Sequence, residues 1–273
     1  MWWENFQRIL KNPRKFRNLT RRREIKYWLL VILILILIYL YTSNGDFSFF
    51  LTLCSTLQMI SFIGICIQVT HNTDGLSFYS FLYYSIIYFS RLNSIIPFEN
   101  YLPYDTSGDW FYQIVEIASF GQSLYITSKL FEVKESPIMI LYSIPCIILS
   151  LFVHATLNRN FLTDWLWTLS MYMEAVALIP LIEKLKSTEA VENFSVHFVA
   201  ARAASQIMSS IFWFKTYREL NKVFKSVKIN LFPGLAGYFV LGSQIISCFF
   251  TANFFIYYVK SAAFGTPFIL PFK

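Results

Sequence analysis

An all-α membrane protein of eight spanning helices is the fold class that this sequence predicts, on three observations. Hydrophobic residues make up 56% of the 273 and charged residues 14%, with a mean hydropathy of +0.49, which excludes an ordinary soluble domain. Eight apolar segments fall at residues 27–41, 47–70, 76–97, 109–128, 137–155, 161–182, 194–214 and 231–259, and about 20 apolar residues cross a hydrocarbon core. The basic residues are spread unevenly over the connections, as membrane orientation requires. Those connections are shorter than the roughly 50 residues of a small independent domain, so the chain reads as one membrane domain.

Taken in order, residues 1–26 carry nine basic side chains, from Arg8 to Lys26, and form a cytosolic segment. The run Tyr27–Tyr41 is almost entirely Leu, Ile and Val. It is longer than the apolar region of a usual signal peptide and no A-x-A-like site follows it, so residues 27–43 read as an extra transmembrane anchor rather than a cleaved leader. Seven further helices occupy 47–260, and 261–273 form a C-terminal tail. From a cytosolic N-terminus, eight crossings return the C-terminus to the cytosol. This places 15 Lys and Arg on the cytosolic side against 6 on the other, namely Arg159, Lys215, Arg218, Lys222, Lys225 and Lys228, in keeping with the positive-inside rule.

Five of those six cations crowd into Lys215–Lys228, where the rule disfavours them. Two readings stay open. One is an interfacial amphipathic helix, with Leu220, Val223, Phe224 and Val227 at helical spacing; the other is an electropositive rim that draws an anionic ligand toward a cavity. The last segment carries Gly234, Gly237 and Gly242, which allow close helix approach, and Gln244 and Asn253, which need partners in the bundle.

Several function classes are excluded. Cys54, Cys66, Cys146 and Cys248 all lie in apolar stretches without a C-x-x-C pair, and no His stands at metal-ligand spacing. Glycine-rich phosphate loops, G-x-S-x-G and H-E-x-x-H are missing. No enzyme, metal site or cofactor is expected. The net charge of +7 follows from membrane topology and does not imply nucleic acid. His154 and His197, near predicted boundaries, read as satisfied interfacial imidazoles.

The stretch Asp164–Pro180 is the chemical centre, because it sets Asp164 and Glu174 within sequence otherwise fit for lipid. An intramembrane carboxylate is costly and faces a cavity or a partner. Arg91 and Arg202 are the basic residues inside the other segments. At about 1.5 Å per residue, Glu174 lies about 18 Å below the lumenal end of its helix and Arg202 about 12 Å above the cytosolic end of the next. In a core of about 30 Å those depths coincide, which predicts a Glu174–Arg202 pair. Arg91 and Asp164 fall nearer the lumenal face. A lumen-open cavity follows, with Arg91 as the anchor for a ligand carboxylate through its planar fork. Asp164 would favour a ligand cation, Trp167 would form a wall, and Arg218 would stand at the rim.

The run Trp167–Pro180 resembles the fifth core helix of the KDEL receptors, the ER lumen protein-retaining receptors. Gly75-Leu76-Ser77, Ser90-Arg91, Thr188-Glu189-Ala190, His197, Trp213, and Asn253-Phe254-Phe255 with Tyr257 and Lys260 support the resemblance, which covers about residues 47–265. It implies a seven-helix core of two three-helix bundles joined by a linking helix, similar to PQ-loop and SWEET transporters and preceded here by one extra transmembrane helix. It further implies a lumen-facing cavity that captures C-terminal retrieval peptides in the acidic Golgi and releases them in the ER, with vesicle coat proteins as further partners. Arg91 matches the second-helix arginine that meets the ligand carboxylate. Asp164 replaces the glutamate that takes the peptide lysine, and Trp167 and Glu174 match the wall tryptophan and buried acid. The expected ligand-binding set is Arg91, Asp164, Trp167, Glu174, Arg202, Trp213 and Arg218.

This sequence departs from the family pattern where Phe49 replaces a first-helix arginine, Thr56 a proton-sensing histidine, Ser205-Gln206 a Tyr-Arg pair, and Thr216 an arginine. The leading reading is a KDEL-receptor-like protein of the early secretory pathway that binds a peptide C-terminus or another small anionic ligand. The alternatives are a PQ-loop-like small-molecule transporter and a structural membrane partner with a vestigial cavity.

Overall fold

A computed structural model describes residues 23–42, 49–98, 109–158, 160–187, 193–221, 232 and 234–264. Among the described residues every regular element is helical. In chain order they are α1 (Arg23–Thr42), α2 (Phe49–His71), α3 (Phe78–Phe98), α4 (Asp109–Lys129), a 3₁₀ turn (Pro137–Tyr142) leading into α5 (Ser143–Phe152), α6 (Phe161–Met173), α7 (Ile179–Ser187), α8 (Asn193–Leu220) and α9 (Ala236–Phe264).

The distribution of side chains explains why these helices assemble as they do. Ser, Thr, Gln, Glu and Arg side chains are buried, while large apolar ones such as Leu40, Phe214 and Phe249, at 67%, 69% and 74% exposure, face outward. Beside a buried aromatic and aliphatic core, so many buried polar and exposed apolar side chains suit an apolar solvent, in which polar groups must find partners inside. Helix α2 is long and apolar enough to cross a membrane, and Trp28–Tyr41, Pro137–Phe152 and Ala236–Ala252 are shorter apolar stretches.

Six helices close a ring: α2 packs on α4, α4 on α3, α3 on α6, α6 on α9, α9 on α8, and α8 back on α2. Helix α5 lies outside against α6, and α1 outside against α2. The outer helix α1 is held by Leu35 and its neighbours against Phe49, Leu53 and Leu57, and by the Trp28 indole N–H, which donates to the Tyr258 hydroxyl at 2.5 Å.

Local chemistry sets the ends of these helices. Gly75 adopts φ 74° in the turn between α2 and α3, a conformation that costs glycine little. Glu135 then reaches back from the loop after α4 to the start of α3, where it accepts from the Ser77 hydroxyl at 2.9 Å and from the Phe78 and Tyr79 amides at 3.2 and 3.3 Å. A carboxylate there satisfies amides that no helical carbonyl reaches.

Four expectations about the helices change. The segment expected as one helix over 161–182 is two, because residues 174–178 form turns held by bonds such as Ala175 N–H to Tyr172 O (3.2 Å) and Ile179 N–H to Val176 O (3.0 Å). Pro180 is the reason: it has no N–H to offer and its ring clashes with the carbonyl four residues back. The segment over 137–155 opens as a 3₁₀ turn with Pro137 at its start. Helix α8 runs on to Leu220, so Lys215 and Arg218 ride on its last turns rather than on a separate interfacial helix; residues 222–231, with Lys222, Val223, Phe224, Lys225, Val227 and Lys228, lie outside the described residues. The last helix starts at Ala236 rather than 231 and continues to Phe264, into the stretch expected as tail. The basic segment 1–22 and residues 265–273 also lie outside the described residues.

Candidate functional site

Inside the ring, three helices bring three charges together. Arg91 of α3, Glu116 of α4 and Glu174 at the end of α6 are 5%, 0% and 5% exposed. The Arg91 Nη2 donates to Glu174 Oε1 at 2.6 Å, and Nη1 to Glu116 Oε1 and Oε2 at 3.2 and 3.4 Å. Each carboxylate has a second support. The Ser55 hydroxyl of α2 donates to Glu116 Oε1 at 2.8 Å, and the Gln244 amide of α9 lies 3.5 Å from Glu174 Oε2. Gln244 in turn accepts from the Gln206 amide and, at 3.2 Å, from the Ser209 hydroxyl, both of α8. A polar relay therefore runs from α8 and α9 through Glu174, Arg91 and Glu116 to α2, and buried charges are tolerated because each is paired and hydrogen-bonded.

The break after α6 positions Glu174. Its amide still donates to Ser170 O at 3.2 Å, but the helix ends there, so its side chain leaves the helix terminus for the bundle interior. A narrow cleft lies beside it, lined by Arg91, Glu174, Tyr112, Met171, Trp167 and Trp213 among others, with ≈ 10 Å³ open to water centres. That is room for about one water. Trp167 and Trp213 meet edge to face across it, ring centres 5.8 Å apart.

The expected Glu174–Arg202 pair is not formed. Arg202 is 2% exposed, its Nε donates to the Tyr84 hydroxyl at 3.1 Å, and its guanidinium sits 4.4 Å from the Tyr84 ring centre. Depth along two helices gives height but not bearing, and Arg202 points toward the aromatic group of Tyr84, Phe62, Phe81 and Phe198. Arg91, turned toward the same centre from α3, takes the carboxylate instead.

Asp164 does not join the cluster. It is fully buried, and its Oδ1 accepts from the Asn158 amide at 2.8 Å, which ties the loop before α6 to the first turn of that helix. The Asn158 side-chain amide reaches the Ser94 hydroxyl at 2.7 Å, one turn along α3 from Arg91. Arg218 is exposed near the end of α8, where its Nε lies 3.2 Å from the Tyr217 hydroxyl; it does not line the cleft. Of the seven expected residues, Arg91, Glu174, Trp167 and Trp213 share the cleft, while Arg202, Asp164 and Arg218 stand elsewhere. His197 meets the Tyr258 hydroxyl through Nδ1 at 2.8 Å.

Glu116 is the residue that sequence reasoning missed. The signal was present, since Glu116 is the one acid in the interior of the apolar segment 109–128, Asp109 standing at its edge, the same criterion that singled out Asp164 and Glu174.

An apolar exterior around a paired polar interior defines a helical membrane protein with an internal site, and the comparisons give the class its family. The chain belongs to the ER lumen protein retaining receptor family, whose model matches residues 72–218, more than half of the sequence, a range that holds the seven expected residues and Glu116. It is 27% identical to an ER lumen protein-retaining receptor of Entamoeba histolytica over 205 residues, which are 73% of this chain and 86% of that protein. A receptor of the same name from Dictyostelium discoideum is 24% identical over 205 residues, 72% of this chain and 86% of that one. One from Plasmodium falciparum is 27% identical over 129 residues, 47% of this chain and 52% of its own length. This is a family of receptors rather than enzymes, and membership implies the membranes of the ER and Golgi.

Proposed function

We propose that the chain is a multi-pass receptor of the early secretory pathway that binds C-terminal retrieval peptides, or another small anionic ligand, from the lumenal side. In this reading residues 47–260 form the seven-helix core, with α2 to α4 as one three-helix bundle, α6 with α7, α8 and α9 as the other, and α5 as the linking helix. Residues 27–43 add one span, and both termini face the cytosol. The supporting observation is Arg91 in a cleft walled by Trp167 and Trp213. A guanidinium in so dry a site binds a carboxylate far more strongly than on an open surface, and the indoles supply apolar and cation-stacking walls.

The family match supports this reading, and no comparison favours a small-molecule transporter. The role of Asp164 narrows: Oδ1 is taken by the Asn158 amide, which leaves Oδ2 for a ligand cation. Arg218 supports at most the approach of the ligand. The test is binding of a peptide library with free C-termini to purified protein at acidic and neutral pH. Binding is expected in the wild type and lost in Arg91→Ala. Arg91→Lys, which keeps the charge but not the fork, should lose nearly as much. Tight binding that survives Arg91→Ala excludes the anchor.

A further inference from the structure

We propose that Glu116 is a specificity-determining residue that occupies, from within the chain, the donors of Arg91 on which an incoming carboxylate would bind. The inference rests on the receptor reading above and deepens it. Arginine offers five N–H donors in a fixed fork. In Arg91, Nη2 is taken by Glu174 and, weakly, by the Met171 sulfur at 4.0 Å, and Nη1 by both oxygens of Glu116; of its three nitrogens only Nε lacks a hydrogen-bond partner among the described residues. The fork is already filled, and a ligand carboxylate cannot bind it in two-pronged fashion unless one internal carboxylate gives way.

Glu116 is the competitor that matters. Glu174 sits on the turns that follow α6 and shares its second oxygen with Gln244 at the long distance of 3.5 Å. Glu116 is fully buried in mid-helix and anchored by Ser55 at 2.8 Å. Charge gives the same answer. At the centre of the ring Arg91 and Arg202 are balanced by Glu116 and Glu174, with Asp164 apart in the first turn of α6, so a further carboxylate beside Arg91 would leave an uncompensated negative charge where there is room for about one water. A single free C-terminus therefore binds the wild-type site more weakly than Arg91 alone would allow, and neutralising Glu116 should tighten it.

The experiment uses the full chain purified in detergent and a Lys-Asp-Glu-Leu peptide with either a free C-terminal carboxylate or a C-terminal amide. Glu116→Gln keeps the shape and an acceptor for Ser55 while removing the charge. It should bind the free acid at least about tenfold more tightly than the wild type, with no gain for the amide. Ser55→Ala, a milder change that only loosens Glu116, should raise free-acid affinity by a smaller factor. If the wild type binds the free acid and neither variant binds it better, or if the gain is equal for acid and amide, the role of Glu116 is overturned while the receptor reading stands. If neither the variants nor the wild type binds either peptide, the retrieval-peptide reading falls and takes this inference with it.

Discussion

Arg91 Nη2 and Glu174 Oε1 lie 2.6 Å apart, and the same guanidinium holds Glu116 at 3.2 Å, so one cation joins α3, α4 and the end of α6. The arrangement is unequal. Each carboxylate has Arg91 as its ion-pair partner among the described residues, whereas Arg91 has two carboxylates.

Arg91→Met should therefore be the most destabilising change in the cluster, since it strands two buried carboxylates. Removing one partner of a buried pair costs about 3–5 kcal/mol. Glu174→Gln should cost clearly less, because Arg91 keeps Glu116. Thermal unfolding in detergent orders the two, and equal losses would contradict the shared-cation geometry.

Double-mutant cycles separate the contact that forms from the one that depth predicted. Arg91→Met with Glu174→Gln should show strong coupling, while Glu174→Gln with Arg202→Met should come nearer to the sum of the singles, because Arg202 is spent on Tyr84. A larger coupling for the second pair would restore the Glu174–Arg202 contact.

Gly237 sits where α8 and α9 come together. Its amide donates to Asn221 Oδ1 at 2.8 Å, and a Cβ at this position would overlap the Tyr217 carbonyl. Gly237→Ala should destabilise by about 1–3 kcal/mol, since a backbone atom cannot yield as a side chain does. Gly242, one turn and a half further along α9, has nothing within 4 Å of such a Cβ; Gly242→Ala should be neutral or stabilising by up to about 1 kcal/mol. Melting of the two variants beside the wild type is the check.

The charge-derived topology predicts that the sequons Asn18-Leu19-Thr20 and Asn193-Phe194-Ser195 stay unglycosylated in the ER. Digestion with an endoglycosidase should leave the mobility of the expressed protein unchanged. A glycan on Asn193 would put the start of α8 in the lumen and invert the core.

Composition made the helical fold legible, and lone charges in apolar runs pointed to Arg91 and Glu174. The polar partners of those charges were less visible. Ser55 and Gln244 are unremarkable in sequence, and what makes them matter is where helix rotation aims them. Rotation is also why Arg202 meets Tyr84 rather than the acid at its depth. Helical depth follows from residue counting, but bearing depends on packing between helices far apart in the chain, such as Tyr84 against Phe198 at 6.0 Å. The break at Glu174 could have been read from Pro180, whose effect falls on the carbonyl four residues earlier.

That break makes α3 a splint. Arg91 grips Glu174 on one side of the interruption, and the Ser80 hydroxyl takes the Leu181 amide at 2.8 Å on the other, the two grips standing 11 residues, about 16 Å, apart on one continuous rod. Helices α6 and α7 keep their alignment through a helix to which neither is joined in sequence.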